Sequence, residues 1–330
     1  MGNSKLSVIL GNVGACCDRY MSGGYQPQPT VEQLFEKVAS IEGVTGVELV
    51  SNWHINKDNH EQVRGLLKSH KLELVSIIPD HFGTPKWGKG AFTSKNPQIR
   101  KDAVSYTKEL IDVAKDLGGN LISLWPGQDG YDYHFQADYI KERGWFEEGV
   151  QACAEYDKNF KIAVEYKPKE PRIRSYASTV YATLLMVKEI GLSNVGITMD
   201  FGHAIMGYEN AAESVAVLSK YGDKLFHMHM NDAFGLWDDD MICGSVHTVA
   251  FFELFYWLKK TGYSGFISTD QYPYREDGKA AVEESIKWMQ LFTEKVNELP
   301  SSEVEAVING GDGVEVSRLL RKWMFGQGAL

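Results

Sequence analysis

The chain has 330 residues and a formal net charge of −10, from 34 Lys and Arg against 44 Asp and Glu. This acidity argues against a protein that binds nucleic acid or an anionic membrane surface, because both attract basic surfaces. A hydrophobic share of 43% and a charged share of 24% are typical of a globular protein and exclude disorder as the main state.

Eight short, β-branched segments alternate with helical segments along the chain, which is the pattern of βαβ units around a parallel sheet. The predicted strands are 7–13, 44–50, 73–79, 120–126, 161–167, 195–201, 225–232 and 265–270. Apolar residues at helical spacing occupy the spans between them, as in VEQLFEKVASI and YTKELIDVAKDL. Each unit takes about 36 residues, which predicts an α/β fold of the (β/α)8 TIM-barrel type. An open doubly wound sheet is the alternative, but GNVGACC after the first strand lacks its glycine fingerprint.

We expect residues 1–330 to form a single domain, with the barrel over about 7–298 and a short helical extension over about 299–330. The final segment, VEVSRLLRKWMFGQGAL, is predicted to pack against the barrel, with a subunit contact as the alternative. The chain has no apolar run of membrane-spanning length and its first apolar stretch is too short for a signal peptide, so we expect a cytoplasmic protein.

The four cysteines, Cys16, Cys17, Cys153 and Cys243, show no zinc-type spacing. Reduced structural thiols are the favoured interpretation. The adjacent pair Cys16 and Cys17 follows the first predicted strand, which leaves the mouth of a site as an alternative position.

Metal-binding side chains end four successive predicted strands, at the edge where such barrels carry their active sites. They are Glu165, Asp200, His229 and Asp270. Each alone has a structural explanation, as a helix N-cap or a hydrogen-bonded core histidine. Together they favour a cation, because carboxylates so close would repel one another without one. Three carboxylates and one imidazole suit Mn²⁺, Mg²⁺ or Co²⁺ better than a thiolate zinc site does.

Further polar residues surround this set. His203 lies three residues beyond Asp200, and Asp238 and Asp240 lie in the loop after the seventh strand. A second metal position shared through Glu165, or a water held by Asp238 or Asp240, is one hypothesis, and a solvated acidic turn is the other. His227 is either a donor to the ligand set or a buried structural partner.

Two features suggest sugar chemistry. Lys167 shares a strand face with Glu165 and is a candidate catalytic residue that polarises a carbonyl, with a surface salt bridge as its alternative. Aromatic, amide and imidazole groups in the loops after the second, third and fourth strands resemble a sugar-binding platform. The predicted substrate-binding residues are Trp53, His54, His81, Trp125, Gln128 and Tyr133. His134 in the same loop is a candidate general acid or base.

In this combination of motifs the chain resembles the xylose-isomerase-like barrel superfamily. The residues that carry the resemblance are Glu165 with Lys167, Asp200 with His203, HMHMND followed by DDD, and the carboxylate at the eighth strand. Within the superfamily the chain is most similar to bacterial rhamnose isomerases of broad sugar specificity. The resemblance implies that the four strand-end residues hold a divalent metal, usually Mn²⁺. His203 and Asp238 would match second-metal ligands, and Asp240 a nearby catalytic acid.

The chain also resembles the catalytic α-subunit of bacterial C-glycoside deglycosidases. Sugar isomerisation and C-glycoside deglycosidation both begin with proton abstraction α to a sugar carbonyl, aided by the metal. On His134 we favour C-glycoside deglycosidation, which implies a small β-subunit as partner. The alternative is an aldose–ketose isomerase or epimerase, which implies a homo-oligomer. The proton-transferring group is left open among His134, His81 and Glu276.

Overall fold

The computed structural model describes residues 5–326. The strands of this part are β1 Lys5–Ile9, β2 Val44–Val50, β3 Glu73–Ile78, β4 Leu121–Leu124, β5 Gly130–Tyr131, β6 Lys161–Glu165, β7 Arg174–Ser175, β8 Val195–Asp200, β9 Leu225–Met230 and β10 Phe266–Thr269. Eight of them form a closed parallel barrel, in the order β1-β10-β9-β8-β6-β4-β3-β2, and β5 and β7 form a separate antiparallel pair.

Helices surround this barrel, and one or more of them follow most barrel strands. They are α1 Val31–Ala39, α2 His60–His70, α3 Pro97–Asp116, α4 Tyr139–Ala154, α5 Val180–Ile190, α6 Phe201–Met206, α7 Ala211–Lys220, α8 Thr248–Thr261, α9 Gly278–Glu298, α10 Ser301–Gly310 and α11 Gly313–Phe325. The prediction of a (β/α)8 barrel is therefore confirmed.

The first strand is shorter than predicted. It ends at Ile9, and Leu10–Val13 form a 3-10 helix whose Asn12 side chain is buried. Asn12 Oδ1 accepts hydrogen bonds from the Thr269 hydroxyl at 2.9 Å and from the Gln271 backbone at 3.3 Å. The chain thus leaves the sheet early because this amide is held by the end of β10.

Polar side chains line the interior of the barrel below its carboxyl edge. Ser123 and Thr198 are hydrogen-bonded at 2.8 Å, and the hydroxyls of Ser7 and Ser268 also pair. Glu48 in the middle of β2 is buried among them. The apolar core lies outside this interior, between the strands and the helices, as expected for a barrel with a helical outer layer.

The C-terminal extension consists of α10 and α11. α11 has no fully buried side chain, but Leu319, Leu320 and Trp323 pack against the main hydrophobic core. The predicted packing of this segment therefore holds as far as residue 326, and residues 327–330 lie outside the described part. The organisation of residues 1–330 as a single domain stays a prediction. Within residues 5–326, no helix is both long enough and apolar enough to cross a membrane.

Candidate active site and metal centre

The four strand-end residues meet at the carboxyl edge of the barrel. Glu165 ends β6, Asp200 ends β8, His229 lies in β9, and Asp270 directly follows β10. One ligand atom from each lies within 4.8 Å of every other. His229 Nδ1 is 3.3 Å from Glu165 Oε2 and 3.3 Å from Asp270 Oδ2. The arrangement has the oxygen-rich donor set that suits a hard divalent cation.

Asp200 is also the N-cap of α6. Its Oδ1 accepts a hydrogen bond from the His203 backbone at 2.8 Å, and its Oδ2 accepts one from Asn231 Nδ2 at 3.0 Å. Asn231 in turn donates to the Asp270 carbonyl at 2.8 Å, and its oxygen accepts from the Gly202 backbone at 2.9 Å. Asn231, which the sequence analysis did not single out, therefore fixes two of the predicted ligands relative to each other.

A second group of potential ligands adjoins the first and consists of Asp200, His203 and Asp238. His203 Nε2 is 2.9 Å from Asp238 Oδ2, and His203 Nδ1 is 3.4 Å from Glu165 Oε1. The two groups share Asp200, whereas the sequence led us to expect sharing through Glu165. Asp240 has a left-handed backbone with φ of 50°, and its Oδ1 is 3.5 Å from Asn231 Nδ2.

Burial and neighbouring charges shift the pKa values of several groups in this region. Burial raises the pKa of Asp200 to about 7, with a contribution from the neighbouring carboxylates. Burial alone would lower the pKa of His203, but Asp200 and Asp238 outweigh it and raise that pKa to about 9. Burial and the carboxylates of Asp238 and Asp270 hold the pKa of Asp240 well above its usual range.

Three buried polar atoms in the two groups have no hydrogen-bond partner among residues 5–326. They are His203 Nδ1, His229 Nδ1 and Asp238 Oδ1. Buried donors and acceptors are ordinarily paired, so three orphaned atoms facing one cluster of carboxylates require an explanation. Two adjacent cations would satisfy these atoms and relieve the repulsion between the carboxylates. The residues present therefore fit a divalent-metal centre.

Lys167 lies beside the second group rather than on the surface. Its Nζ is 2.8 Å from Asp238 Oδ2 and 3.2 Å from Glu170 Oε2, and it lies 5.1 Å from the centre of the Trp125 ring. Burial alone would lower its pKa, but Asp238 and Glu170 outweigh this effect and raise it. The side chain is therefore a charged ammonium group at the wall of the site.

Glu48, another residue that the sequence analysis missed, lies beneath His229. Its Oε1 is 2.7 Å from His227 Nε2 and 3.3 Å from His229 Nε2, and its Oε2 accepts a hydrogen bond from the Ser76 hydroxyl. Burial would raise the pKa of Glu48, but the two histidines outweigh it and hold the pKa well below its usual range. A carboxylate inside the apolar strand GVELV was the available sequence signal.

A cavity of about 290 Å³ opens above these groups. It is lined by Ile9, Cys17, Val50, Trp53, Ile78, Phe82, Trp125, Glu165, Lys167, His203, Asp238, Asp240, Asp270, Tyr272 and Tyr274. Phe82 contacts Trp125, with ring centres 4.6 Å apart, and Trp53, with ring centres 5.8 Å apart. The lining thus combines aromatic rings with charged side chains, a combination that suits a sugar.

Cys17 is the exposed member of the four cysteines. It lines the cavity, whereas Cys16, Cys153 and Cys243 are buried. Burial raises the pKa of both the Cys16 and the Cys153 thiol to about 12, and that of Cys243 higher still. The buried thiols are therefore unreactive structural groups, as predicted.

His54 lies at the edge of the site with only 3% of its surface exposed. Its Nδ1 accepts a hydrogen bond from the Val50 backbone at 3.0 Å, and burial lowers its pKa to about 4. A neutral imidazole that accepts at Nδ1 carries its proton on Nε2. A β-carbon on Gly11 would lie 3.7 Å from His54 Nε2, so this nitrogen faces the backbone after β1, and His54 does not belong to the residues that line the cavity.

Three further residues of the predicted platform, His81, Gln128 and Tyr133, do not line the cavity either. His81 is buried in a box formed by Trp87, Phe92 and Tyr106, and burial lowers its pKa to about 3. Gln128 donates to the Phe82 carbonyl at 3.0 Å and so supports the aromatic wall from outside.

Tyr133 and His134 are exposed, with 75% of the Tyr133 surface accessible, and neither belongs to the residues that line the cavity. Glu276 lines an adjoining cavity of about 460 Å³ that shares Asp240, Tyr272 and Tyr274 with the first. Loops of this kind are polar and aromatic whether or not they face the site, so the sequence could not separate the two cases.

Sequence comparisons relate residues 35–292 to the family described as "Xylose isomerase-like TIM barrel". The chain is 29% identical to the xylose isomerase of Thermus thermophilus over 217 residues, which cover 64% of this chain and 56% of that protein. It is 28% identical to the xylose isomerase of Fervidobacterium gondwanense over 198 residues, covering 58% of this chain and 46% of that protein. The matches thus span about half the length of these relatives.

Solved structures share the fold. A D-tagatose 3-epimerase-like protein superposes with a TM-score of 0.67 at 23% identity, covering 88% of this chain and 99% of that one. An L-ribulose 3-epimerase superposes with a TM-score of 0.68 at 12% identity, covering 92% of this chain and 98% of that one. At these low sequence identities, the likeness is one of fold alone.

Proposed function

The chain belongs to the xylose isomerase-like TIM barrel family, and from this premise we propose that it is a divalent-metal-dependent isomerase that interconverts aldose and ketose sugars. The observation that carries the proposal is the pair of ligand groups sharing Asp200 on the floor of an aromatic-walled cavity. The similarity to xylose isomerases supports the same reaction class. Because that similarity spans half of those proteins, the activity of this chain is our inference.

The first group, Glu165, Asp200, His229 and Asp270, would hold one cation, and His203 and Asp238 would hold a second together with Asp200. We propose Mn²⁺ as the metal, with Mg²⁺ or Co²⁺ as substitutes, because oxygen-rich sites with one imidazole accept all three. Bound there, a divalent cation supplies Lewis-acid polarisation of the sugar carbonyl and its neighbouring hydroxyl.

The protein side chains would position the sugar and handle its protons. The ammonium group of Lys167 is fixed by Asp238 and Glu170, so it presents a permanent positive charge to a sugar oxygen. The raised pKa of Asp240 favours its protonated form, which suits this carboxyl group to donate a proton. Trp53 and Trp125, which line the cavity, would offer flat apolar surfaces to the sugar carbons.

The preference for a C-glycoside deglycosidase was based on His134 and on the general resemblance to those enzymes. That residue is exposed and does not line the cavity, so it gives no support to deglycosidation over isomerisation. The small β-subunit belongs to that hypothesis alone. With the isomerase proposal we also propose a homo-oligomer as the assembly.

The test is an assay of metal-free protein reconstituted with Mn²⁺ on a panel of free aldopentoses, aldohexoses and the corresponding ketoses, with products separated by chromatography. We expect aldose–ketose interconversion that chelation abolishes and Mn²⁺ restores. Conversion of ketoses only into other ketoses would make the protein an epimerase instead. Aglycone release from a 3-keto C-glycoside without sugar isomerisation would return the function to deglycosidation.

A matched pair of variants tests the metal centre itself. Asp200→Asn removes the shared ligand, so we expect loss of bound Mn²⁺ and a fall in activity of about 100-fold or more. Asp239→Asn is the control, because Asp239 lies outside both ligand groups and its carboxylate accepts a hydrogen bond from the Phe234 backbone, which an asparagine oxygen can also accept. Metal content measured by mass spectrometry should be normal in the control. Full metal content in Asp200→Asn would contradict the site assignment.

A further inference from the structure

Glu48 is a buried carboxylate in the barrel interior, one layer below the proposed metal centre. Both of its oxygens are engaged: Oε1 lies 2.7 Å from His227 Nε2, and Oε2 accepts a hydrogen bond from the Ser76 hydroxyl. The same carboxylate lies 3.3 Å and 3.4 Å from His229 Nε2 through its two oxygens. An isolated carboxylate at this depth would be costly, so its partners are expected to be donors.

His229 thus faces carboxylates at both ring nitrogens. Its Nε2 points down to Glu48, and its Nδ1 points up to Glu165 and Asp270 at 3.3 Å each. Nδ1 makes no hydrogen bond with any residue in 5–326, although it is buried. A neutral imidazole carries one proton, and the nitrogen without it offers a lone pair to a metal.

The neighbouring histidine on the same strand is His227. The rings of His227 and His229 pack edge to face, with centres 5.0 Å apart at an interplanar angle of 87°. Both residues point into the barrel because they are two positions apart on β9. His229 therefore has a packing neighbour on one side and a carboxylate acceptor below it.

We propose that Glu48 is a positioning residue, which holds the proton of His229 on Nε2 and so presents the Nδ1 lone pair to the divalent metal. This inference rests on the proposed function, because it requires a metal beside Glu165 and Asp270. Carboxylates that orient metal-bound histidines in this way contribute substantially to metal affinity. Glu48 itself touches neither metal nor substrate.

The test compares the Mn²⁺ affinity of metal-free wild type, Glu48→Gln and His227→Gln by calorimetry, together with their thermal unfolding. Glutamine keeps the shape of Glu48 but removes its negative charge, and its amide nitrogen replaces one of the two acceptor oxygens that lie within 3.4 Å of His229 Nε2, so it holds the Nε2 proton of His229 less strongly. We expect Glu48→Gln to bind Mn²⁺ about 10- to 100-fold more weakly than wild type while unfolding at a similar temperature. His227→Gln is the matched control, because its amide can still donate to Glu48 and leaves the contact between Glu48 and His229 in place. Its affinity should stay close to that of wild type.

Wild-type affinity in a folded Glu48→Gln protein would overturn the inference, as would an equal loss in His227→Gln, which would indicate general damage to the barrel interior. If Glu48→Gln does not fold, Glu48→Asp replaces it, because it keeps the charge but withdraws it from His229. Weakened Mn²⁺ binding by Glu48→Asp would support the inference, and undiminished binding would overturn it. Failure of the wild type to bind any divalent metal would instead refute the proposed function.

Discussion

Asp200 links a helix, a hydrogen-bond network and both proposed metal positions. One oxygen caps α6 through the His203 backbone, and the other accepts from Asn231. A carboxylate has about four lone-pair sites, so these two hydrogen bonds leave capacity for a metal on each oxygen. The orientation of the shared ligand is therefore fixed before a metal arrives, which reduces the entropy lost on binding.

Proton competition at this residue and its neighbour leads to a pH prediction. Asp200 has a pKa of about 7 and His203 one of about 9, both above their usual values, so below these values each holds a proton where a metal would bind. We expect Mn²⁺ affinity to fall as the pH is lowered and to rise from about pH 6 to about pH 9, as first Asp200 and then His203 loses its proton, with protons released on binding. Calorimetry in buffers of different ionisation enthalpy measures both quantities. Constant affinity with no proton release would contradict the prediction.

At the scale of residues, the sequence predicted those site residues whose place at the end of a strand is enough to bring them to the active-site edge of the barrel. Glu165 and Asp270 could be predicted because parallel strands bring their carboxyl ends to one edge. Glu48 and Asn231 could not, since their roles depend on hydrogen bonds to residues far away in the chain. His81 was placed in the platform because nothing in one sequence separates a loop residue facing a cavity from one buried beneath the loop.

At the scale of elements, the six-residue helix α6 connects β8 to the site. It packs so closely against the loop after β9 that a β-carbon on Gly202 would lie 2.3 Å from Asn231 Oδ1 and 3.2 Å from Asp238 Oδ1. The Asn231 side chain is not free to move away, because it bridges Asp200 and Asp270. A glycine is therefore required here for the close approach of two elements.

We expect Gly202→Ala to displace Asn231 and weaken Mn²⁺ binding by about tenfold or more, a size typical of the loss of a group that orients metal ligands. Gly207→Ala at the other end of α6 is the control, because its β-carbon would meet nothing closer than 3.4 Å. Metal titration of both variants checks the prediction. Equal affinities would show that the loop accommodates the extra methyl group.

The order and type of the barrel strands could be read from the alternating pattern, but their ends could not. β1 stops at Ile9 because Asn12 is captured by residues at the end of β10, a contact about 257 positions apart in the chain. The short pair β5 and β7 was also missed. Its two residues per strand carry too little periodicity to stand out from a loop, and its register exists only once the two loops meet.

At the scale of the whole molecule, the C-terminal extension is attached to the barrel through one face of α11. Leu319, Leu320 and Trp323 are partly buried there, and Trp323 lines an apolar groove of about 360 Å³ together with Phe252 and Trp288. We expect a chain ending at residue 311 to keep its Mn²⁺ affinity, because neither ligand group includes a residue of α11.

The same truncation should lower the melting temperature by about 5 °C, since it exposes the apolar surface of the groove. Differential scanning calorimetry and a metal titration on the same sample separate the two effects. Trp323→Ala in the full chain should reproduce part of the thermal shift. Loss of metal binding on truncation would show that the extension is integral to the barrel.

Closure of the barrel was predictable from the number and spacing of the units, whereas the reaction was not. Isomerisation, epimerisation and deglycosidation begin at the same kind of metal-polarised carbonyl, so the strand-end ligands are compatible with all three. The preference for deglycosidation rested on His134, and the position of that side chain depends on how one loop folds.

The thiol of Cys17 provides a practical tool for finding the substrate. It is exposed at the wall of the cavity, while the other three cysteines are buried and hold their protons tightly. A maleimide dye added in equimolar amount should therefore label the protein at one place, beside the aromatic wall. Changes in its fluorescence would report the entry of any sugar in a compound library, with no need to know which product is formed.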